Sequence, residues 1–409
     1  MMQANRDQFL EQGYLILRNV VPLNELDELR ASYEILVERQ RTIWARDRMP
    51  VDPPGGVWDS SPQPRLSLNP GGKNGSQLID RETANAVEFW LHENTQGVSR
   101  QLMDVNDAAV TEMFLMCNPV RDRGPANWHR DIHPIDTAPL MGYIKDIKEN
   151  GPSYVQWNIP LYDDEVLWVV PGSHVRINTE EENHQLLEDS YAPLSSGIQT
   201  HLAAGDGVVY ITPILHWGSN YSTKLRRTIH GGFASWGRIY YRNLNFTERL
   251  NPEARKTYER WACRSAEAQD YTEAALRAAI AKDGSTFRQC IERIQPGSGE
   301  HGKKLRTVFL SKAAIHIRCS KRPNLKSVPE DLRSRGTRPH PTSLNWGPQF
   351  ADRFTLAEAD ALWERFEGLD AALQKDEEQF SPGFQSGPMH YNFNEMPADF
   401  SIDDFIASW

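Results

Sequence analysis

The sequence predicts a mainly β fold with helical additions at both ends, and three observations predict it. Residues 127–235 are short apolar runs punctuated by Gly- and Pro-marked turns. Residues 5–41 and 247–294 carry apolar positions at helical spacing. No internal repeat is visible, which removes solenoids and propellers.

The elements follow in order. Asn5 to Leu10 opens a short helix that Gly13 stops, and Tyr14–Leu17 is a strand. Pro22 and Asn24 introduce a helix from about Leu23 to Arg41, with Leu26, Leu29, Tyr33, Leu36 and Val37 on one face. Residues 49–75 are rich in Pro, Gly, Ser and Asn and form a long loop carrying Trp58, either a lid or a surface excursion without a role. Residues 76–108 read as mostly helical and 109–118 as a buried strand. Further strands are Tyr154–Ile159, Val166–Val170, Val208–Thr212 and Arg226–Ser235, with turns at Pro171-Gly172 and Gly205-Asp206-Gly207. Many short strands with such turns suggest a sandwich or barrel. Helices return at Glu248–Cys263, Tyr271–Ala281 and Thr286–Ile294. Residues 296–348 read as a solvated linker or surface extension, 355–374 as an amphipathic helix, and 380–409 as an appendage packed back on the core. The expected division is a core at 1–245, including the N-terminal helices, and a helical and irregular extension at 246–409.

Composition bounds the function. A chain of 409 residues with 39% hydrophobic and 24% charged residues is globular rather than disordered. The net charge of −10 argues against a general nucleic-acid surface. Cys117, Cys263, Cys290 and Cys319 are scattered without a C-x-x-C pair, which argues against a zinc knuckle or a disulfide framework. No secretory signal and no run near eighteen apolar residues is present, so a cytoplasmic protein with no membrane partner is the expectation.

The chemistry begins at Asn127-Trp128-His129-Arg130-Asp131. Residues two apart on a strand face one side, so His129 and Asp131 can reach one divalent ion. A distant histidine would complete a 2-His-1-carboxylate triad, which leaves three adjacent positions open for a cosubstrate and dioxygen. H-x-D alone is weak evidence in a chain with twelve histidines. Its support is His216, which follows a strand ending at Thr212-Pro213 and precedes Arg226 and Arg227. A buried arginine one small molecule from the metal suits the far carboxylate of a 2-oxo acid. Alternation puts Arg226, Thr228 and His230 on one face and Arg227 and Ile229 on the other, and the polar face favours Arg226. Gln156 and Asn158 share a strand face and are further candidates to donate to that cosubstrate. His133 is read as a pocket or surface histidine rather than a ligand, His174 as a turn residue bonded to backbone, His230 as either a core or a pocket residue, and Trp128 and Trp157 as core.

Taken together, Phe9–Arg18, Trp128-His-Arg-Asp131, Leu167-Trp-Val-Val-Pro-Gly-Ser-His174, Gly205-Asp-Gly207 and His216 through Arg226 resemble the phytanoyl-CoA dioxygenase family of Fe(II)/2-oxoglutarate oxygenases. The resemblance implies a double-stranded β-helix, that is a cupin-type jelly roll, with Fe(II) on His129, Asp131 and His216 and 2-oxoglutarate on an arginine. By family spacing that arginine is Arg227, so the choice between the two stays open. The implied reaction is hydroxylation or another oxidation of a C–H bond in a small organic substrate by O2, coupled to decarboxylation of 2-oxoglutarate to succinate and CO2. Related halogenases replace the carboxylate ligand with a small residue, so Asp131 points to oxidation. The chain departs from the family in an expanded loop between Asp131 and Tyr154 that contains Met141–Lys148, a shortened hairpin near Pro171, and everything after about residue 240. Two alternatives are a cupin-type zinc or manganese enzyme that does not use 2-oxoglutarate and a non-catalytic jelly-roll binding protein.

Overall fold

Strand alternation builds a two-sided wall. The strands of this first part of the chain are β1 (Tyr14–Leu17), β2 (Arg65–Ser67), β3 (Ala108–Cys117), β4 (Tyr154–Pro160), β5 (Leu167–Val169), β6 (Ile198–Gln199), β7 (Gly207–Tyr210), β8 (His216–Gly218) and β9 (Arg227–Ser235). They form a six-stranded sheet in the order β1-β7-β4-β9-β3-β2 and a three-stranded sheet in the order β6-β5-β8, with every pair antiparallel. This computed structural model describes residues 2–69, 75–131, 140–235, 246–294, 299–322, 349–373, 377–391 and 399–409.

Register decides what each face carries. Leu66, Leu115, Ile229 and Ile159 lie side by side across β2, β3, β9 and β4, and all belong to the main apolar core. The helix Leu26–Arg46 buries Leu29, Tyr33, Leu36 and Val37 in the same core. The opposite face carries Met116, Thr228, His230, Asn158, Gln156 and Tyr210. Both faces of β4 and β9 are buried, so this polar inner face is satisfied by its own hydrogen bonds.

The chain divides into two compact units. One holds Met1–Asp131, Ile144–Ala262 and Pro382–Phe384; the other holds Ile132–Tyr143, Cys263–Ser381 and Gln385–Trp409. The division after residue 262 falls inside the helix Pro252–Ile280, whereas the expected boundary at 245 adjoins residues outside the described set. The second unit carries the helices Gly284–Ile294, Gly299–Lys321 and Leu356–Leu373 and a hairpin of Glu377–Gln379 with Met389–Tyr391.

Several expectations need correction. The protein is about half helical, so it is not mainly β. Long helices in the C-terminal part weigh more than a set of short strands. Residues 299–321 are a helix and not a solvated linker, burying Leu310, Ala313, Ala314 and Ile317. The expected loop at 141–148 is the helix Leu140–Asn150. Residues 75–103 break into short helical turns. Trp58 is buried and packed on Trp44, with Arg41 over its ring, so it is a core residue rather than a lid. Unforeseen was the helix Glu180–Glu188, whose Thr179 and Glu182 form a capping box.

The first helix shows how the N-terminal motif works. Asn5 caps Arg6–Gln12 by accepting from Gln8 N, and Gly13 closes it at φ 81°. A Cβ at residue 13 would lie 2.4 Å from His174 Nδ1, so only glycine admits that ring. His174 Nε2 donates to Leu10 O at 2.9 Å while the buried Nδ1 has no partner among the described residues, which makes it the neutral tautomer. Burial holds the His174 pKa down at about 4. The fold therefore favours uncharged His174, and its stabilisation is complete above the unfolded value near 6.5 and is lost as pH falls from there toward 4. Folding stability should fall by about 2 kcal/mol between pH 7 and pH 5 from this group, read as a lower thermal midpoint. His174→Gln should show a shallower slope; an unchanged slope would refute the account.

Candidate metal centre

Asn127–Asp131 runs extended beside β8. His129 N donates to His216 O and His216 N to His129 O, both at 2.9 Å, so the two histidines sit directly opposite each other. Their rings project to one side with centroids 4.3 Å apart. Alternation brings Asp131 to the same side. Asp131 Oδ1 lies 3.5 Å from His129 Nε2 and Oδ2 lies 3.3 Å from His216 Nε2. One donor atom from each of the three falls within 4.8 Å of the others.

The tautomers follow from the backbone. His129 Nδ1 donates to Asn127 O at 2.8 Å and His216 Nδ1 to Ile214 O at 3.0 Å. A carbonyl only accepts, so each Nδ1 carries a proton and Nε2 is the atom of each ring that faces Asp131 and can ligate. Desolvation of its partly buried ring lowers the His129 pKa to about 4; the adjacent His216 adds to this and Asp131 opposes it. Burial pushes the Asp131 carboxyl up, but His216, His129 and the Gln156 hydrogen bond together hold it well below the usual range. Two imidazole Nε2 atoms and one carboxylate converging on one point are a donor set for a divalent cation.

Around this cluster lies a buried polar network. Gln156 Nε2 donates to Asp131 Oδ2 and to Tyr210 Oη, both at 2.8 Å. The Tyr210 ring sits 5.3 Å from that of His216. His230 Nδ1 meets Asn158 Oδ1 at 2.5 Å, and burial depresses the His230 pKa to about 3. Gln156 thus orients Asp131, and Asn158 holds a buried core histidine. His133 lies outside the described residues.

The two arginines part company. Arg227 turns to the outer face, where Nε lies 2.9 Å from Glu34 and the guanidinium sits 5.9 Å from the Trp58 ring. Arg226 shares the inner face with Thr228. Its Nε donates to Asp164 Oδ2 at 2.7 Å, and Thr228 Oγ1 donates to the same oxygen. Arg226 Nη1 is buried with no partner among the described residues. Arg226, Asp164, Tyr221, Ser219 and Gln199 line a cavity of about 240 Å³, and none of the three clustered residues lines it. Burial raises the Tyr221 pKa while Arg226 lowers it and Asp131 raises it, so Tyr221 senses both the cluster and the arginine.

Arg130, between the two H-x-D residues, points the opposite way. It is buried, with Nη1 donating to Ser173 O at 2.6 Å and Pro213 O at 2.5 Å, and Nη2 to Asn178 Oδ1 at 2.7 Å. One side chain thereby ties the His129 segment to the turn at 171–174 and to the segment leading into His216. Burial lowers the Arg130 pKa to about 9. Trp128 and Trp217, each adjacent to a clustered histidine, stack at 5.4 Å below the site. Arg130, Tyr210, Tyr221 and Arg65 were not singled out from the sequence. A central position in H-x-D offered a signal for Arg130, since alternation must point it away from the cluster.

Among known proteins, the family model for phytanoyl-CoA dioxygenase matches residues 9–228. The solved structure of EctD from S. alaskensis with 2-oxoglutarate and 5-hydroxyectoine is similar at 14% identity and TM-score 0.41, over 62% of this chain and 82% of that one. AviO1 from Streptomyces viridochromogenes Tue57 is similar at 20% identity and TM-score 0.39, over 57% of this chain and 97% of that one. No curated protein matches the sequence.

Proposed function

The chain belongs to the phytanoyl-CoA dioxygenase family of Fe(II)- and 2-oxoglutarate-dependent oxygenases, and from that premise we propose that His129, Asp131 and His216 hold its iron and Arg226 the far carboxylate of 2-oxoglutarate. The observation that carries the ligand assignment is the convergence of two imidazole nitrogens and one carboxylate oxygen within 4.8 Å. Arg226 is supported by its inward face and its unpartnered Nη1. The two antiparallel sheets are read as the halves of a double-stranded β-helix, and the C-terminal residues after 245 as an extension of that core.

The chemistry the iron supplies when bound is activation of O2, with 2-oxoglutarate as reductant, to oxidise a C–H bond of a small organic substrate. The protein's own groups do the rest. The Asn127 and Ile214 carbonyls fix both imidazoles, and Gln156 fixes Asp131. Asp164 anchors Arg226 through Nε and leaves its Nη ends for a planar carboxylate. Trp128 and Trp217, each next to a histidine of the cluster, stack in an apolar group that supports both segments.

Two measurements test this. Iron-loaded protein given 2-oxoglutarate and O2 should form succinate, and a protein that binds no 2-oxoglutarate would end the reading. Arg226→Met should weaken 2-oxoglutarate about 30-fold, the equivalent of about 2 kcal/mol for a charge-assisted pair, with iron affinity unchanged. Arg227→Met should leave 2-oxoglutarate affinity within about twofold, because that arginine holds Glu34. The reverse pattern would assign the role to Arg227.

A further inference from the structure

We propose that Arg65 selects the substrate by receiving an anionic group, a carboxylate or phosphate, on the molecule that is oxidised. This rests on the reading of the site as an iron and 2-oxoglutarate centre. Arg65 is the first residue of β2, an edge strand with β3 as its neighbour, and its side chain is exposed. The register runs Arg65, Met116, Thr228 across β2, β3 and β9, so Arg65 stands on the inner face with His230 and Gln156. Its neighbours on that face, Met116 and Phe114, are apolar and lie between it and His230.

Its charge is uncompensated. Arg226 faces Asp164 and Arg227 faces Glu34, but Arg65 meets a neutral acceptor: Nε and Nη2 reach Gln63 Oε1 at 3.0 and 2.8 Å. No carboxylate pairs with it among the described residues. Gln63 is buried and holds the guanidinium by one edge, leaving Nη1 for an incoming group. That charge is felt across the site. Burial dominates the lowered pKa of His230, and Arg65 adds to it. Burial raises Tyr221, and Arg65 pulls it the other way.

The cosubstrate has one carboxylate remote from the metal, and the buried Arg226 already suits it. A second cation at the open end of the same face, beyond an apolar strip, fits a molecule with an apolar body and an anionic end.

The test uses the full chain loaded with Mn(II) and 2-oxoglutarate under nitrogen. The probes are alkyl carboxylates and alkyl phosphates, each beside its methyl ester or parent alcohol, with binding read by titration and by thermal shift. At least one series should bind its anionic member tenfold or more tighter than its neutral partner. Arg65→Gln should bring the two within twofold while 2-oxoglutarate affinity stays within twofold of wild type, and Arg65→Lys should keep part of the preference. No anionic preference in any series, a preference that survives in Arg65→Gln, or a tenfold loss of 2-oxoglutarate affinity in that variant overturns the inference alone. Wild-type protein that binds neither Mn(II) nor 2-oxoglutarate overturns the metal-centre reading and this inference with it.

Discussion

His129→Ala is expected to lower iron affinity by more than about 100-fold and to abolish succinate formation while leaving the fold intact. Three donors converge within 4.8 Å, so removing one leaves a bidentate site with no other His, Cys, Asp or Glu grouped there among the described residues. Loss of an outer partner costs roughly 10–100-fold in metal affinity, and loss of a direct ligand must exceed that. Gln156→Leu supplies the graded comparison, because it frees Asp131 without removing it; it should fall inside that range. His129 is the ligand to change first, since its ring is 41% exposed whereas that of His216 is 5% exposed, and truncation there opens little cavity. Iron titration in competition with a chelator, beside far-ultraviolet circular dichroism, separates ligation from unfolding. Iron binding within threefold of wild type in His129→Ala would sink the ligand assignment.

Arg130→Met is expected to cost about 3 kcal/mol of folding stability. Three buried acceptors, Ser173 O, Pro213 O and Asn178 Oδ1, lose their donor at once. Each unsatisfied group costs roughly 1–3 kcal/mol, against which stands the relief of no longer burying a charge. The acceptors win because there are three of them, and this one side chain joins the segments that carry them. The same change should weaken iron binding, since Pro213 leads directly into His216 and Arg130 lies between His129 and Asp131. Urea denaturation reads the first effect and metal titration the second. A stability loss under about 1 kcal/mol would show that the three segments hold their positions without this side chain.

Local pattern carries far in this chain. The helix–Gly13–strand opening, the apolar face of the helix over 26–46, and the strands around residues 109–117, 154–160 and 227–235 were all legible, because each depends on spacing within a few residues. So was the geometry of His129 and Asp131, which strand alternation puts on one side. The helix at 299–321 was not, since its basic and polar residues mask an apolar stripe that only matters once something packs on it. Trp58 is similar: its loop composition signals exposure, and the neighbouring Trp44 and Arg41 decide otherwise.

What the sequence by itself determined was which residues share a face, and with them the His129-x-Asp131 pair and the separation of Arg226 from Arg227. What only the tertiary structure decided was which distant faces meet. Pairing brings His216 opposite His129, sends Gln156 to Asp131, gives Arg226 to Asp164 and Arg227 to Glu34, and sets Arg65 beside Met116 with Gln63 as its partner. Alternation is a property of one strand, fixed by backbone sterics at each residue, whereas these contacts join residues up to 193 positions apart and exist only after the sheets have paired.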